Sequence, residues 1–168
     1  MITGHKAEEL FKHTMEIAGH TVIAATKDED MYHHIDFFVD GEGYDVKGEK
    51  RYNREDESVT DVIWIENTNV RGDPGWLNGQ AKYIAFLIGE EFVIVDRKKL
   101  AEYIKNNMRS EKVFNVKGYK KWYRREGRQD IITYIYPRDL EKSVVVRRKV
   151  VYLPNEEENK NSKEGSQT

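Results

Sequence analysis

Residues 33–51, "HHIDFFVDGEGYDVKGEKR", constrain the fold more than any other stretch, because three charged side chains interrupt otherwise strand-like sequence. Asp36 interrupts the first apolar run, and Asp45 and Lys47 interrupt the second. Burying charges is costly unless they meet partners or a metal. The placement of these three charges therefore indicates that the fold brings them together for a reason.

A tight turn within these residues predicts how the three charges are arranged. The letters "DGEG" between two alternating segments are a strong hairpin signal, and we centre the turn between Gly41 and Glu42. Asp36 then lies opposite Lys47, and Asp45 shares their face because side chains alternate along a strand. An odd-length turn would separate them. The structural alternative is a surface hairpin whose acids and lysine form cross-strand ion pairs.

Two neighbouring carboxylates also predict a chemistry. Asp36 and Asp45 would repel each other without a cation. Mg²⁺ or Mn²⁺ would resolve this, because hard divalent ions prefer oxygen ligands. A metal activates bound water and neutralises charge that develops on a phosphate, and Lys47 would hold a water or offset phosphate charge. Together these parts predict hydrolysis of a phosphodiester.

The chain as a whole is typical of one soluble domain. It has 168 residues, 35% of them charged, and no cysteine, which excludes a disulfide framework and thiolate chemistry. It contains no apolar run near twenty residues, and its start lacks a secretory pattern, so we expect a cytoplasmic protein without a membrane span. We predict a single domain over 1–153, with a core at about 5–105, a basic and aromatic extension at about 109–153, and a disordered tail at 154–168.

The predicted order of elements is helix, meandering strands, helix, strand, in an α/β domain around a mixed sheet. We predict helices at 5–19, at 76–83 and after Asp96, and strands at 21–26, 32–39, 44–49, 60–67, 84–88, 91–96 and 143–153. The first helix would bury Leu10, Phe11, Thr14, Ile17 and Ala18.

The hairpin and the first helix together resemble the PD-(D/E)XK nuclease superfamily, whose fold is restriction-endonuclease-like. The motif strands would be "HHIDFF" and "YDVKG", and the resemblance covers roughly 5–105. The helix letters "KAEELF" are similar to those of archaeal-type Holliday junction resolvases. Two departures are that no proline precedes Asp36 and that the acid of the D/E-x-K strand is Asp45.

The resemblance implies an αβββαβ core with a central mixed sheet flanked by helices. It implies that Asp36, Asp45, Glu8 and the Val46 carbonyl hold Mg²⁺ or Mn²⁺, and that Lys47 is the catalytic lysine. Attack by a metal-activated water would leave a 5′-phosphate. The substrate would be DNA, with junction- or branch-directed action implied by the resolvases, and RNA stays open.

Several residues keep two interpretations at this point. Glu9 is the alternative to Glu8 in the metal shell. Glu66 is either an outer acidic position or a solvated strand end. Gln80 contacts a nucleic-acid backbone or packs in a helix. His34, which shares the face of Asp36, is a hydrogen-bonded neighbour of the site more often than a ligand in such a strand position, and both interpretations stay open.

The charge distribution adds a nucleic-acid surface. Residues 27–66 hold thirteen acidic and five basic residues, a balance of −8, whereas 109–128 hold eight basic and two acidic, a balance of +6. An acidic block beside a basic one suits a metal centre next to a polyanion-binding surface. The residues that we predict to contact nucleic acid are Lys50, Arg51, Lys120, Lys121, Arg124 and Arg125.

Bases would stack on Tyr119, Trp122 and Tyr123, unless these rings belong to the core and the cations reach past them to water. A homodimer would serve the cutting of two strands. Two other functions stay open: a catalytically silent nucleic-acid-binding module of the same fold, and a phage-type or mobile-element accessory factor whose acidic hairpin contacts a basic partner.

Overall fold

The computed structural model describes residues 4–49, 62–141 and 144–153. The helices are α1 (Gly4–Ile17), α2 (Lys27–His33), α3 (Arg97–Asn107) and α4 (Pro137–Glu141), and a 3₁₀ turn spans Trp76–Asn78. The strands are β1 (Val22–Ala24), β2 (Phe37–Val39), β3 (Glu42–Lys47), β4 (Ile63–Thr68), β5 (Tyr83–Ile88), β6 (Glu91–Asp96), β7 (Ser110–Phe114), β8 (Lys121–Tyr123), β9 (Ile131–Ile135) and β10 (Val145–Val150). The predicted tail at 154–168 lies outside the described residues.

Six strands form a mixed central sheet in the order β1-β2-β3-β5-β6-β10. β3 and β5 run parallel, and the other neighbours in this sheet are antiparallel. The predicted α/β class with a mixed sheet is therefore confirmed. The predicted pair of strands turned at Gly89 is present as β5 and β6, and the predicted late strand is present as β10.

Helix α1 covers one face of the central sheet through a stripe of buried side chains. Phe11 is fully buried, and its ring centroid lies 5.4 Å from that of Tyr44 and 5.3 Å from that of Phe92. The prediction that Ile17 and Ala18 are buried was wrong: Ile17 lies in the last turn, at the margin of the stripe, and is 58% exposed, while Ala18 follows the end of the helix and is exposed too. Met15 is buried in this helix instead.

Helix α2 occupies residues that the sequence assigned partly to a strand. The prediction of a strand over 32–39 was wrong before Phe37, because a capping box starts a helix at Thr26. The Glu29 backbone N–H donates to Thr26 Oγ1 (3.2 Å), and the Thr26 N–H donates to Glu29 Oε1 (2.9 Å). The helix ends at His34, whose φ is +57°. The strand β2 therefore holds only three residues.

A second sheet, in the order β4-β9-β8-β7, packs on the other face of the central sheet. The predicted strand over 60–67 is present as β4 in this second sheet. Its Ile63 and Ile65 join Ile84 and Phe86 of the central sheet in one buried cluster, together with Leu100 of α3. The core consequently has two layers of side chains, one on each face of the central sheet.

Two local predictions about helices have different outcomes. The predicted cap of α3 is confirmed, since the Lys99 N–H donates to Asp96 Oδ1 at 3.0 Å. The prediction of a helix over 76–83 was wrong beyond the 3₁₀ turn, which ends at Gly79, where the backbone becomes extended. None of the helices in the described ranges is long and apolar enough to span a membrane.

Candidate metal centre

The hairpin turn lies one residue earlier than the sequence indicated. Asp40 and Gly41 form it with φ angles of +50° and +85°, and Phe38 pairs with Gly43. Two positive φ angles suit the turn to the right-handed twist of the strands. The prediction that Asp36 lies opposite Lys47 was therefore wrong, because the register of β2 against β3 is shifted by two residues.

The shift by two leaves the predicted face of the hairpin intact. A slip of one residue would have moved each side chain to the other face, whereas a slip of two does not. In the parallel pair, Asp45 lies beside Ile84 and Lys47 beside Phe86. The Asp36 carboxylate faces β3, where its Oδ2 accepts a hydrogen bond from the Val46 backbone N–H at 2.7 Å.

Asp45 is the most enclosed of these groups, at 3% exposure. Its Oδ1 lies 3.0 Å from Lys47 Nζ, while no donor in the described residues hydrogen-bonds its buried Oδ2. Burial raises the pKa of Asp45 to about 7, with Asp36 adding to the rise and Lys47 opposing it. A buried oxygen without a partner is costly, so this atom marks a place for a donor or a cation.

Glu8 reaches the same cleft from α1. Burial raises its pKa to about 8, and hydrogen bonding and charge repulsion with Asp36 add to the rise. Glu9, the alternative candidate, is exposed and lies 3.4 Å from His5 Nε2 and 3.6 Å from Lys6 Nζ. The structure therefore places Glu8 at the cleft, while Glu9 lies on the solvent side of the helix.

These groups line an open cleft of about 290 Å³. Its lining residues are Gly4, His5, Glu8, Asp30, His34, Asp36, Asp45, Val46 and Lys47. The four residues predicted to form the metal shell are all among them, and so is the lysine. Four carboxyl groups face this one cleft, and each proton that they release adds negative charge that attracts cations.

Asp30 is a member of this cleft that sequence reasoning missed. It lies on α2 with a side chain that is mostly exposed, and partial desolvation at the cleft, followed by the charge of Asp36, raises the pKa of its carboxyl. The signal that would have found it is the capping pattern of Thr26 and Glu29, which predicts a helix just before Asp36. The Gln80 N–H donates to the His33 carbonyl at 2.9 Å and so ties the end of α2 to the start of β5.

Lys47 lies between the acidic cleft and an aromatic ring. Its ammonium is 5.1 Å from the centroid of the Trp76 ring. Burial acts to lower the pKa of Lys47, but the charge and hydrogen bond of Asp45 outweigh it, and the net shift is upward. Glu66 contributes to the same rise, which puts it within electrostatic reach of the lysine. Lys47 is therefore held as a cation.

The remaining predicted residues near the cleft have defined surroundings. Glu66 is partly exposed on β4, and Gly75 approaches its backbone so closely that a Cβ there would lie 2.5 Å from the Glu66 carbonyl oxygen. Gln80 is exposed and lies after the 3₁₀ turn rather than in a helix. His34 Nε2 lies 3.1 Å from the Pro74 carbonyl oxygen, which fixes its ring at the rim of the cleft.

The four described members of the set predicted to bind nucleic acid have different surroundings. Lys50 and Arg51 lie outside the described residues. Lys120 is largely covered and lies 3.5 Å from the buried Asp139 carboxylate, while Lys121 lies over the Phe114 ring. The exposed members of the set are Arg124 and Arg125, the latter 3.4 Å from Asp130 Oδ2.

The donor set fits a hard divalent cation. No three His, Asp or Glu side chains in 4–49, 62–141 and 144–153 already converge on one ion position. The fit is indicated instead by the buried, unpartnered Oδ2 of Asp45 and by the carboxyls of Glu8, Asp30 and Asp36 around the same cleft. Carboxylate and carbonyl oxygens are the ligands that Mg²⁺ and Mn²⁺ prefer.

No protein-family model, curated protein or solved structure matches this chain. The resemblance to PD-(D/E)XK nucleases therefore depends on the hairpin and the first helix.

Proposed function

We propose that this protein is a metal-dependent endonuclease that hydrolyses phosphodiester bonds in DNA, with the restriction-endonuclease-like arrangement of its site. The observation that carries the proposal is that Asp36, Asp45, Lys47 and Glu8 line one cleft, in which a buried Asp45 oxygen has no hydrogen-bond donor among the described residues. A structural ion pair alone does not require three further carboxyls around it.

The residues that would hold Mg²⁺ or Mn²⁺ are Asp36, Asp45, Glu8 and the Val46 carbonyl, with Asp30 as an addition from α2. Such an ion, when bound, lowers the pKa of water and offsets the charge of a phosphate. The Val46 N–H orients Asp36 through its bond to Oδ2. The raised pKa values of Glu8 and Asp45 mean that their protons must leave before these groups serve as ligands.

Lys47 would act on the phosphate or on the attacking water. Its ammonium is kept charged by Asp45 and is placed by contact with the Trp76 ring. In a partly enclosed cleft, a positioned cation stabilises developing negative charge more than it would in water. Lys47 is therefore the residue that we expect to contribute to the rate without holding the metal.

The test is a cleavage assay on plasmid, linear duplex, single-stranded and four-way-junction DNA, with an RNA arm. Each substrate is incubated with Mg²⁺, with Mn²⁺ and with EDTA, and the product ends are tested for a 5′-phosphate. Metal-dependent cuts leaving 5′-phosphate are expected. Absence of cuts on all substrates with both metals would contradict the proposal.

A catalytically silent nucleic-acid-binding module is the second candidate. The observation that favours it is the direct Lys47–Asp45 pair, in which the lysine occupies one oxygen of the carboxylate that a metal needs. Binding of DNA with no cleavage under any metal condition would support this second candidate.

A further inference from the structure

Four aromatic side chains form a continuous cluster on the second sheet, and we call it the ring cluster (Trp64, Tyr119, Tyr134 and Tyr136). The Tyr134 centroid lies 5.4 Å from that of Trp64, 6.1 Å from that of Tyr119 and 5.9 Å from that of Tyr136. Tyr119 and Tyr136 are 5.0 Å apart. All four side chains are partly exposed.

Two rings of the cluster, Trp64 and Tyr134, lie on the face of the second sheet that looks away from the core, whereas Tyr119 packs against the buried cluster of the core. Trp64 pairs with Tyr134 in the β4–β9 ladder, and their neighbours Ile63 and Ile135 point into the buried cluster. Because successive side chains alternate between faces, Trp64 and Tyr134 must point outward. Exposure of aromatic rings to water is unfavourable, and the fold of the second sheet does not require aromatic residues at these outward positions.

Exposed cations lie over the rings. The Lys117 ammonium is 5.9 Å from the Trp64 centroid, and the Arg138 guanidinium is 4.5 Å from the Tyr136 centroid. Arg109 lies 5.7 Å from Tyr119. Within the described part of the chain, neither Arg109 nor Arg138 forms a salt bridge, so their charge is not balanced by a neighbouring acid.

The buried carboxylate of Asp139 fixes one ring of the cluster, that of Tyr119. Tyr119 donates its hydroxyl proton to Asp139, which is 1% exposed, and Lys120 lies 3.5 Å from the same carboxylate. Lys120 is thus held at this buried carboxylate, while Arg109, Lys117 and Arg138 have exposed side chains. The cluster combines packed rings with exposed positive charges.

The ring cluster is adjacent to the acidic cleft. Lys47 lines the cleft and also lines a second cavity, whose walls include Trp64 and Pro137. Trp64 belongs to the cluster, and Pro137 lies between Tyr136 and Arg138 in the chain. Lys47 and Trp64 therefore border one cavity, which puts the nearest ring of the cluster beside the lysine of the cleft.

We propose that the ring cluster, with Arg109, Lys117 and Arg138, binds single-stranded nucleic acid and leads it to the cleft. Unpaired bases stack on aromatic rings, and cations that lie over those rings can move to the phosphates between the bases. Duplex DNA cannot use the rings in this way because its bases are already stacked in the helix. The part of the proposal that concerns the cleft rests on the proposed nuclease function, whereas the binding part does not.

The experiment measures binding of fluorescently labelled 20-nucleotide strands to the full chain by anisotropy, in EDTA so that no cleavage occurs. The probes are single-stranded DNA, single-stranded RNA of the same sequence and the matching DNA duplex. We expect at least tenfold tighter binding of the single strands than of the duplex. The DNA and RNA arms decide which of the two sugars is preferred.

Two variants and a control test the surface itself. The triple change Arg109→Gln/Lys117→Gln/Arg138→Gln should lower the slope of log Kd against log salt by about 2, since each phosphate contact contributes about 0.7 for single strands. Tyr136→Leu should weaken single-strand binding by about tenfold, as for one stacked base. The matched control, Lys12→Gln/Lys98→Gln/Lys99→Gln, removes the same charge from exposed positions on α1 and α3.

Folding of every variant is checked by circular dichroism and melting temperature. Equal effects of the two triple variants, or equal affinity for duplex and single strand, would overturn the proposal. Binding that is intact in Asp45→Asn while cleavage is absent in wild type would support the ring cluster and contradict only the nuclease. The two proposals therefore fail separately.

Discussion

Lys47 Nζ lies 3.0 Å from Asp45 Oδ1, while the other oxygen of the same carboxylate is buried without a hydrogen-bond donor among the described residues. Within this part of the chain, only one of the two Asp45 carboxylate oxygens is thus paired. Asp36 and Glu8 line the cleft beside this pair, and the neighbouring Asp36 carboxylate adds to the burial that raises the pKa of Glu8. A cation entering from the cleft would meet the free oxygen and relieve the repulsion among the acids.

Metal-free protein is expected to lose stability as the pH rises from 5 to 8. In the folded state, Glu8 keeps its proton to about pH 8 and Asp45 to about pH 7, whereas in the unfolded chain both lose it near pH 4. The folded state therefore binds more protons in this window, so the free energy of unfolding falls as the pH rises, by several kcal/mol at full burial and by less where solvent screens the partly exposed Glu8. Urea unfolding in EDTA at pH 5, 6, 7 and 8 measures this, and Glu8→Gln should flatten the slope.

Addition of Mg²⁺ is expected to reverse that loss. Protons compete with the metal for Glu8 and Asp45, so binding should be weak at pH 5.5 and strong at pH 8. At a hundredfold excess over Kd the gain is about 2.7 kcal/mol, which corresponds to about 5 °C or more in melting temperature. Thermal melts with and without Mg²⁺ at both pH values measure it. An equal shift at pH 5.5 and pH 8, or in Asp45→Asn, would contradict a carboxylate site.

Asp30→Asn is expected to weaken Mg²⁺ binding by about tenfold, a loss typical of a group that supports a metal shell. Asp28→Asn serves as the control because Asp28, like Asp30, is an exposed acid of α2 but does not line the cleft. Titration calorimetry of both variants measures the difference. If the two substitutions have the same effect, Asp30 acts only through the overall charge of the protein.

Phe11→Ala is expected to destabilise the protein by about 3–5 kcal/mol, because it empties a fully buried site among three aromatic rings. Since α1 carries Glu8, loosened packing should also weaken cation binding. Urea unfolding checks the first effect and calorimetry the second. Ile17→Ala, at an exposed position of the same helix, should leave both nearly unchanged.

The parts of the site that were predictable from sequence depend on alternation. The face shared by Asp36, Asp45 and Lys47 was predicted correctly although the turn was misplaced, because a shift of two residues preserves it. The helix that carries Asp30 was missed because it is short and polar, has no buried side chain and so shows no apolar period. The capping box at Thr26 and the hydrogen bond from the Gln80 backbone N–H to the His33 carbonyl stabilise this helix instead.

The second sheet was not predicted either, because it depends on pairing between segments that are far apart in the chain. Trp64 meets Tyr134 across seventy residues, and no local pattern encodes that register. The same holds for Lys120, which we predicted to contact nucleic acid and which pairs with Asp139 in the fold. The charge counts identified a basic region of the chain, but they could not show which of its cations form ion pairs with buried acids.

The most direct test of the central claim compares cleavage rates of wild type, Asp45→Asn and Lys47→Ala in Mg²⁺ on the best DNA substrate. The matched controls are Glu42→Gln and Lys82→Ala, which break an exposed ion pair of 2.8 Å between β3 and the residue before β5. We expect both site variants to lose about a hundredfold or more in rate and both controls to keep the wild-type rate. Equal rates in all five proteins would show that the cleft does not cut DNA.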